Sequence, residues 1–183
     1  MNKIDRYADI ALSNFDIMKL VNNKANLILY PDVHKYKNID DILGKYGSCF
    51  LLYESKPSYG HWTVLNKLNP NTIEFFDPYG GDDEGYPDET LKHIDDKFKK
   101  KTNQDKRYLS HLLYDSGYDI DYNQYKFQKH KNDIKTCGRH CAVRTICKWM
   151  SLDDYYNFFK QMTKELGMTN DEFVTFLTMY INK

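Results

Sequence analysis

The chain has 183 residues, 41% of them hydrophobic and 15% aromatic, which suits one well-packed domain and is short for two. Lys and Arg number 26, as do Asp and Glu, so no global charge marks out a nucleic-acid or anionic-membrane partner. No run approaches the ~20 apolar residues of a membrane span, and MNKIDRYADI lacks the apolar centre of a secretory signal. An intracellular protein without a membrane partner is expected, with Cys49, Cys137, Cys141 and Cys147 as reduced thiols rather than a disulfide framework.

Residues 3–22 carry apolar side chains at helical spacing, with Ser13 and Asn14 as a break and new cap, which predicts one or two short helices. A brief apolar run from Asn26 to Tyr30 closes at Pro31-Asp32, and Ile39 to Leu43 reads as a helical turn ended by Gly44. Cys49 to Tyr53 is an unbroken apolar run, as in a strand buried on both faces. Trp62–Leu68 and Thr72–Phe76, joined by Asn69-Pro70-Asn71, form a hairpin with His61 just before the first strand and Asp77 just after the second. Antiparallel pairing brings those two ends together.

The Gly-, Asp- and Pro-rich segment from Asp77 to Pro87 reads as a surface loop, and residues 88–113 as helical, with a solvated basic face at Lys97, Lys99, Lys100 and Lys101. Tyr122 to Gln128 alternates like a strand, placing Gln124 and Gln128 on one face. Two helices close the chain. The first, near 153–166, buries Tyr155, Phe158, Phe159, Met162 and Leu166; the second starts at the capping box Thr169-Asn170-Asp171-Glu172 and buries Phe173, Phe176, Leu177, Tyr180 and Ile181.

The stretch Thr136-Cys137-Gly138-Arg139-His140-Cys141 reads as a turn feeding a helix with Cys137 at its first position. Ala142, Val143, Ile146, Trp149 and Met150 make one apolar stripe, and Cys137 falls off it. Core packing gives no reason for a cysteine there, whereas the free N–H groups and partial positive charge of a helix N-terminus stabilise a thiolate. A thiolate nucleophile needs a base, a group that orients the base, and donors for the oxyanion. His61, Asp77 and Gln128 supply one of each, with Glu74 and Asp82 as fallback carboxylates and Asn132 as a fallback donor. Other readings exist for several of these residues. Cys137, His140 and Cys141 have the spacing of metal ligands on one helical face but lack a fourth, so neither a metal nor a cofactor is assigned. Asp77 before Pro78 suits a simple turn, Cys49 and Cys147 suit the core, and His34, His93, His111 and His130 have no motif context.

The ordered set Gly60-His61-Trp62, Phe75-Phe76-Asp77, Gln128 and Thr136-Cys137-Gly138 resembles the clan of cysteine proteases that includes adenovirus maturation protease and the SUMO proteases. The match is nearest to maturation proteases of large DNA viruses, virophages and related mobile elements, whose nucleophile motif often reads Cys-Gly-Arg-His, and it spans Cys49 to Met150. The resemblance implies an α+β, papain-like or adenain-like fold: a small mixed sheet packed on a central helix that carries the nucleophile. It makes Cys137 the nucleophile, His61 the base, Asp77 the residue orienting His61, and Gln128 the oxyanion side chain beside the Cys137 N–H. SUMO proteases place their glutamine about six residues before the cysteine, where Lys131 stands here; Gln128 requires a longer loop, as in the viral members.

The implied activity is that of a cysteine endopeptidase cutting viral capsid or core precursors during particle maturation, near small residues such as glycine. Such an enzyme would work in the host cytoplasm or viral factory and be packaged in the virion, with an activating peptide or DNA as a further partner. Deconjugation of ubiquitin-like proteins, thiol-dependent acetyl transfer and a binding module with a vestigial site are the alternatives.

Overall fold

The computed structural model describes residues 3–80, 86–131 and 133–182. Two short helices, α1 (Lys3–Ala8) and α2 (Asn14–Leu20), flank the expected break. Ser13 caps α2 in a reciprocal box: its hydroxyl accepts the Asp16 N–H while Asp16 accepts the Ser13 N–H. Strand β1 (Asn26–Leu29) leads through a 3-10 turn at Tyr30–Lys35 to helix α3 (Ile39–Leu43), which ends at Gly44. Strands β2 (Ser48–Lys56), β3 (Tyr59–Asn69) and β4 (Thr72–Phe76) follow as two consecutive antiparallel pairs. β1 runs parallel to β2 on one edge, and β5 (Asp119–Tyr122) runs parallel to β4 on the other, giving a five-stranded mixed sheet in chain order.

Both faces of this sheet are covered, which is why β2 reads as a continuous apolar run. Alternate residues face opposite sides of a strand. Phe50, Leu52, Trp62, Val64 and Phe76 enter a core shared with α6 (Cys137–Ile146), α7 (Leu152–Leu166), α8 (Asn170–Thr178) and α2. Cys49, Leu51, Tyr53, Leu65 and Phe75 enter a second core with α3, Leu91, Ile94, Leu109 and Leu113. The molecule is thus α+β, with a mixed sheet between helical layers and α6 packed directly against β3.

Several sequence expectations need correction. The helical stretch over 88–113 is three pieces: a 3-10 turn at Glu89–His93, α4 (Asp96–Lys101) and α5 (Tyr108–Tyr114). Asp95 caps α4 by accepting the Phe98 N–H, and Asn103 breaks the run with a left-handed φ of 55°. Of the Asp77–Pro87 segment, residues 81–85 lie outside the described residues, but Asp77, Pro78, Gly80 and Pro87 are buried rather than on the surface. Gly80 has φ 50° and a Cβ there would sit 2.1 Å from the Tyr125 carbonyl, so only glycine suits this close approach. The strand over 122–128 is absent: pairing stops at Tyr122, and the aromatics beyond it serve helix packing, Tyr125 stacking on Tyr156 and Phe127 entering the core.

The stripe proposed for α6 holds at Ala142, Val143 and Met150, which pack into the core, and fails at Ile146 and Trp149. Every residue from Cys137 to Thr145 is buried, the helix ends at Ile146, and Ile146 and Trp149 are exposed. A helix enclosed by β3, α2 and α8 has no solvent face to leave polar, so its burial does not follow a 3.6-residue stripe. Near the C-terminus, Leu166, Leu177 and Tyr180 are exposed, while Tyr155, Phe159 and Phe173 are buried as expected. The side chain of Ile181 lies outside the described residues.

Candidate active site

His61 lies inside β3 opposite Tyr53 of β2, not before the strand, so its backbone is fixed by the ladder. Asp77 directly follows β4. With Val64 opposite Phe76, Asp77 continues the register toward Thr63, and His61 lies two residues further along β3 on the same face, within diagonal reach. His61 Nε2 donates to Asp77 Oδ1 at 2.8 Å. The Asp77 side chain is 1% exposed and fully committed: Oδ1 also accepts the Tyr79 N–H at 2.9 Å, and Oδ2 accepts the Thr90 hydroxyl at 3.1 Å. Its carbonyl accepts from the Asn123 side chain at 2.6 Å. One carboxylate therefore serves both the Asp-Pro turn and the hydrogen bond to His61. Glu74 has no part in it, being paired to Arg144 of α6, and Asp82 lies outside the described residues.

Burial alone would lower the His61 pKa, but the Asp77 charge and hydrogen bond, followed by hydrogen bonding to and the charge of Cys137, outweigh it and push it up to about 10. The ring stacks on Tyr79 with centroids 4.4 Å apart, and Tyr79 stacks in turn with His130 at 3.6 Å. With Nε2 taken by Asp77, Nδ1 is the nitrogen left to face Cys137.

Cys137 opens α6 at 8% exposed, against 0% for Arg139 and His140, and contrary to the sequence expectation it belongs to the core on that side of the sheet. Thr136, at the N-cap, makes no side-chain cap bond, because its hydroxyl donates to Asp171 Oδ1 at 2.6 Å. The first-turn N–H groups are thus left uncapped by that side chain beside the thiol. Gly138 lets the helix approach closely: a Cβ there would lie 2.9 Å from Ile17 Cδ1 and 3.3 Å from Trp62 Cδ1. Trp62 follows His61, so this contact seats the turn that opens α6 against β3.

Cys137, His61, Asp77 and Gln128 all line one cavity of about 760 Å³. Gln128 arrives there from a loop rather than a strand. Its N–H and that of Phe127 both donate to the Pro78 carbonyl at 3.0 Å, tying the loop to the residue after Asp77. The side-chain Nε2 makes only a long 3.4 Å bond to the Ile134 carbonyl, and Oε1, although buried, has no partner. An amide held this loosely can turn toward a substrate carbonyl. Gln124 is exposed and Asn132 lies outside the described residues.

The alternative metal set is dispersed: His140 Nε2 donates to Asp171 Oδ1 at 3.2 Å and Cys141 Sγ donates to the Trp62 carbonyl at 3.3 Å. Among the described residues no cluster of three or more His, Cys, Asp or Glu is arranged to hold a metal ion. Tyr79, Thr90, Asn123, His130 and Asp171 were not singled out from the sequence. Only Tyr79, two residues after Asp77, had a signal, since an aspartate that starts a turn bonds the N–H two positions on.

No helix among the described residues is long and apolar enough to cross a membrane. No family model matches the chain and no solved structure does. Among curated proteins it is 44% identical over 179 residues to "Uncharacterized protein V9" of Sputnik virophage, covering 98% of this chain and 100% of that protein. The chain therefore belongs to the family of Sputnik virophage protein V9.

Proposed function

We propose that the protein is a cysteine endopeptidase of the papain-like, adenain-like kind, with Cys137 as nucleophile, His61 as base and acid, Asp77 as orienter and Gln128 as oxyanion donor. The observation that carries this reading is the His61–Asp77 hydrogen bond beside a cavity that Cys137 and Gln128 also line. A His61 that keeps its proton to about pH 10 is the charge complement of a Cys137 thiolate. The thiolate attacks the scissile carbonyl, and the oxyanion is received by Gln128 Nε2 and the Cys137 N–H. His61 then protonates the leaving amine, the acyl-enzyme forms, and the now neutral imidazole takes a proton from the water that releases the acid.

The substrates we propose are viral capsid or core precursors, cut beside small residues such as glycine. The virophage origin of the relative supports a viral setting, in a host cytoplasm or viral factory with packaging in the virion. The test is to incubate the purified protein with candidate viral precursors and with ubiquitin-like fusions, with and without DNA or precursor-derived peptides, and to identify new termini by mass spectrometry. New termini beside small residues that vanish with Cys137→Ala support the reading; cleavage confined to ubiquitin-like fusions would replace it with deconjugation.

A further inference from the structure

Asp171, in the first turn of α8, is buried and does not line the substrate cavity, yet it joins the two segments that carry the nucleophile and the oxyanion donor. Its Oδ2 accepts the Lys129 N–H at 3.1 Å, one residue after Gln128. Its Oδ1 accepts the Thr136 hydroxyl at 2.6 Å, one residue before Cys137, and the His140 Nε2–H at 3.2 Å, one helical turn after it. The Gln128 loop has a second anchor on its other side, where Gln128 N–H donates to the Pro78 carbonyl. Beyond it, His130 stacks on Tyr79, which stacks on His61. The loop is therefore pinned to the base's half of the site at Pro78 and Tyr79, and toward the nucleophile's half the packing of Phe127 on His140 is joined, after Gln128, by the bonds to one carboxylate.

We infer that Asp171 is a positioning residue that fixes Gln128 over the N-terminus of α6, setting the distance between the oxyanion donor and the nucleophile. Its effect on turnover rests on the peptidase reading; its effect on the loop does not. The carboxylate suits this task because one oxygen serves the loop and the other serves the helix, so the two segments cannot separate without breaking a charge-assisted bond. An apolar or one-sided residue at this position would still let α8 pack, through Phe173 and Val174, but would free the Lys129 end of the loop from the start of α6, leaving the core packing of Phe127 and the Asn170 bond to the Lys126 carbonyl, both before Gln128, as its ties on that side.

The experiment compares wild type, Asp171→Ala, and a protein whose Lys129 amide is replaced by a backbone ester, which deletes the one N–H and leaves Asp171 intact. The first readout is the order parameter of the Gln128 side-chain amide by nuclear magnetic resonance, expected to fall in both altered proteins while Trp62 resonances stay put in both and α6 resonances stay put in the ester protein. The second is turnover: kcat should drop about tenfold or more with KM nearly unchanged, and the same change made in a Gln128→Ala background should cost less than about threefold. An unchanged Gln128 order parameter in the ester protein overturns the inference even if Asp171→Ala fails to fold. Equal losses of kcat in both backgrounds overturn it too, since a general structural defect is additive. Wild-type protein without Cys137-dependent hydrolysis would sink the peptidase reading alone, and the order parameters would still decide the tether.

Discussion

Replacing Asp77 by Asn tests the electrostatics of the site most sharply, because the amide keeps an acceptor for the Tyr79 N–H and removes the charge together with the acceptor for the Thr90 hydroxyl. In the intact protein burial alone would lower the His61 pKa, but the Asp77 charge is the largest influence raising it, and the net effect carries it from 6.5 to about 10. A neighbouring opposite charge is worth ~1–3 pKa units, or about 1.4–4 kcal/mol, so the alkaline limit of activity should fall to between about 7 and 9. At pH 9 a group of pKa ~10 is about nine-tenths protonated and one of pKa ~8 about one-tenth, which sets an expected loss near tenfold in kcat/KM. The sign for stability follows from a folded pKa above the unfolded one: the stabilisation is complete below about 6.5 and disappears as pH rises through about 10. Asp77→Asn should therefore be less stable than wild type in urea at pH 6, with the gap closing by about pH 10.5. The assays are the pH profile of kcat/KM and the titration of the His61 ring protons by nuclear magnetic resonance. An unchanged alkaline limit together with an unchanged His61 titration would refute the reasoning and reduce Asp77 to a turn residue.

Gln128→Ala should lose about 3 kcal/mol of transition-state stabilisation, near a hundredfold in kcat, while Cys137 alkylates at the wild-type rate; Gln124→Ala should be neutral in both measurements. Asp77→Asn combined with His61→Ala should be scarcely slower than His61→Ala alone, as expected of residues acting as a unit, and additive losses would assign them separate roles. Arg144→Met should cost about 3–5 kcal/mol in urea melts, because Glu74 loses bonds of 2.7 and 2.9 Å and stays buried without a partner. Adding Glu74→Leu should restore most of that stability, and failure to do so would mean that the Arg144 bonds to the Cys147 and Met150 carbonyls dominate.

The parts of the fold legible in the sequence were those written in local patterns. Period-two alternation and an Asn-Pro-Asn turn gave the β3–β4 hairpin, and from it the meeting of His61 with Asp77. Ser13 and Thr169 both cap the helices that follow them, a signal carried within three residues. Patterns set by distant partners were misread. Tyr125 and Phe127 alternate because one stacks on Tyr156 of α7 and the other fills the core, which imitates a strand without a neighbour to pair with. The enclosed α6 buries Arg139, His140 and Arg144 with partners on α8 and β4, so a search for an apolar stripe extended it to Trp149, which is exposed. Asp171 read as part of a capping box, and its contacts with Lys129 and Thr136 come from residues 42 and 35 positions away.

The central claim is that Cys137 is the activated nucleophile, and thiol labelling addresses it directly. Burial pushes the thiols of Cys49, Cys141 and Cys147 up, and the first two are fully buried, so none of them competes for an electrophile at neutral pH. Folded protein should be treated with a limiting amount of a peptide vinyl sulfone at pH 7, and the adduct mapped by mass spectrometry in wild type and in His61→Ala. A single adduct on Cys137 that forms far more slowly in His61→Ala is the expected result. Adducts that favour Cys147 or Cys141, or that form on Cys137 equally fast without His61, would contradict it.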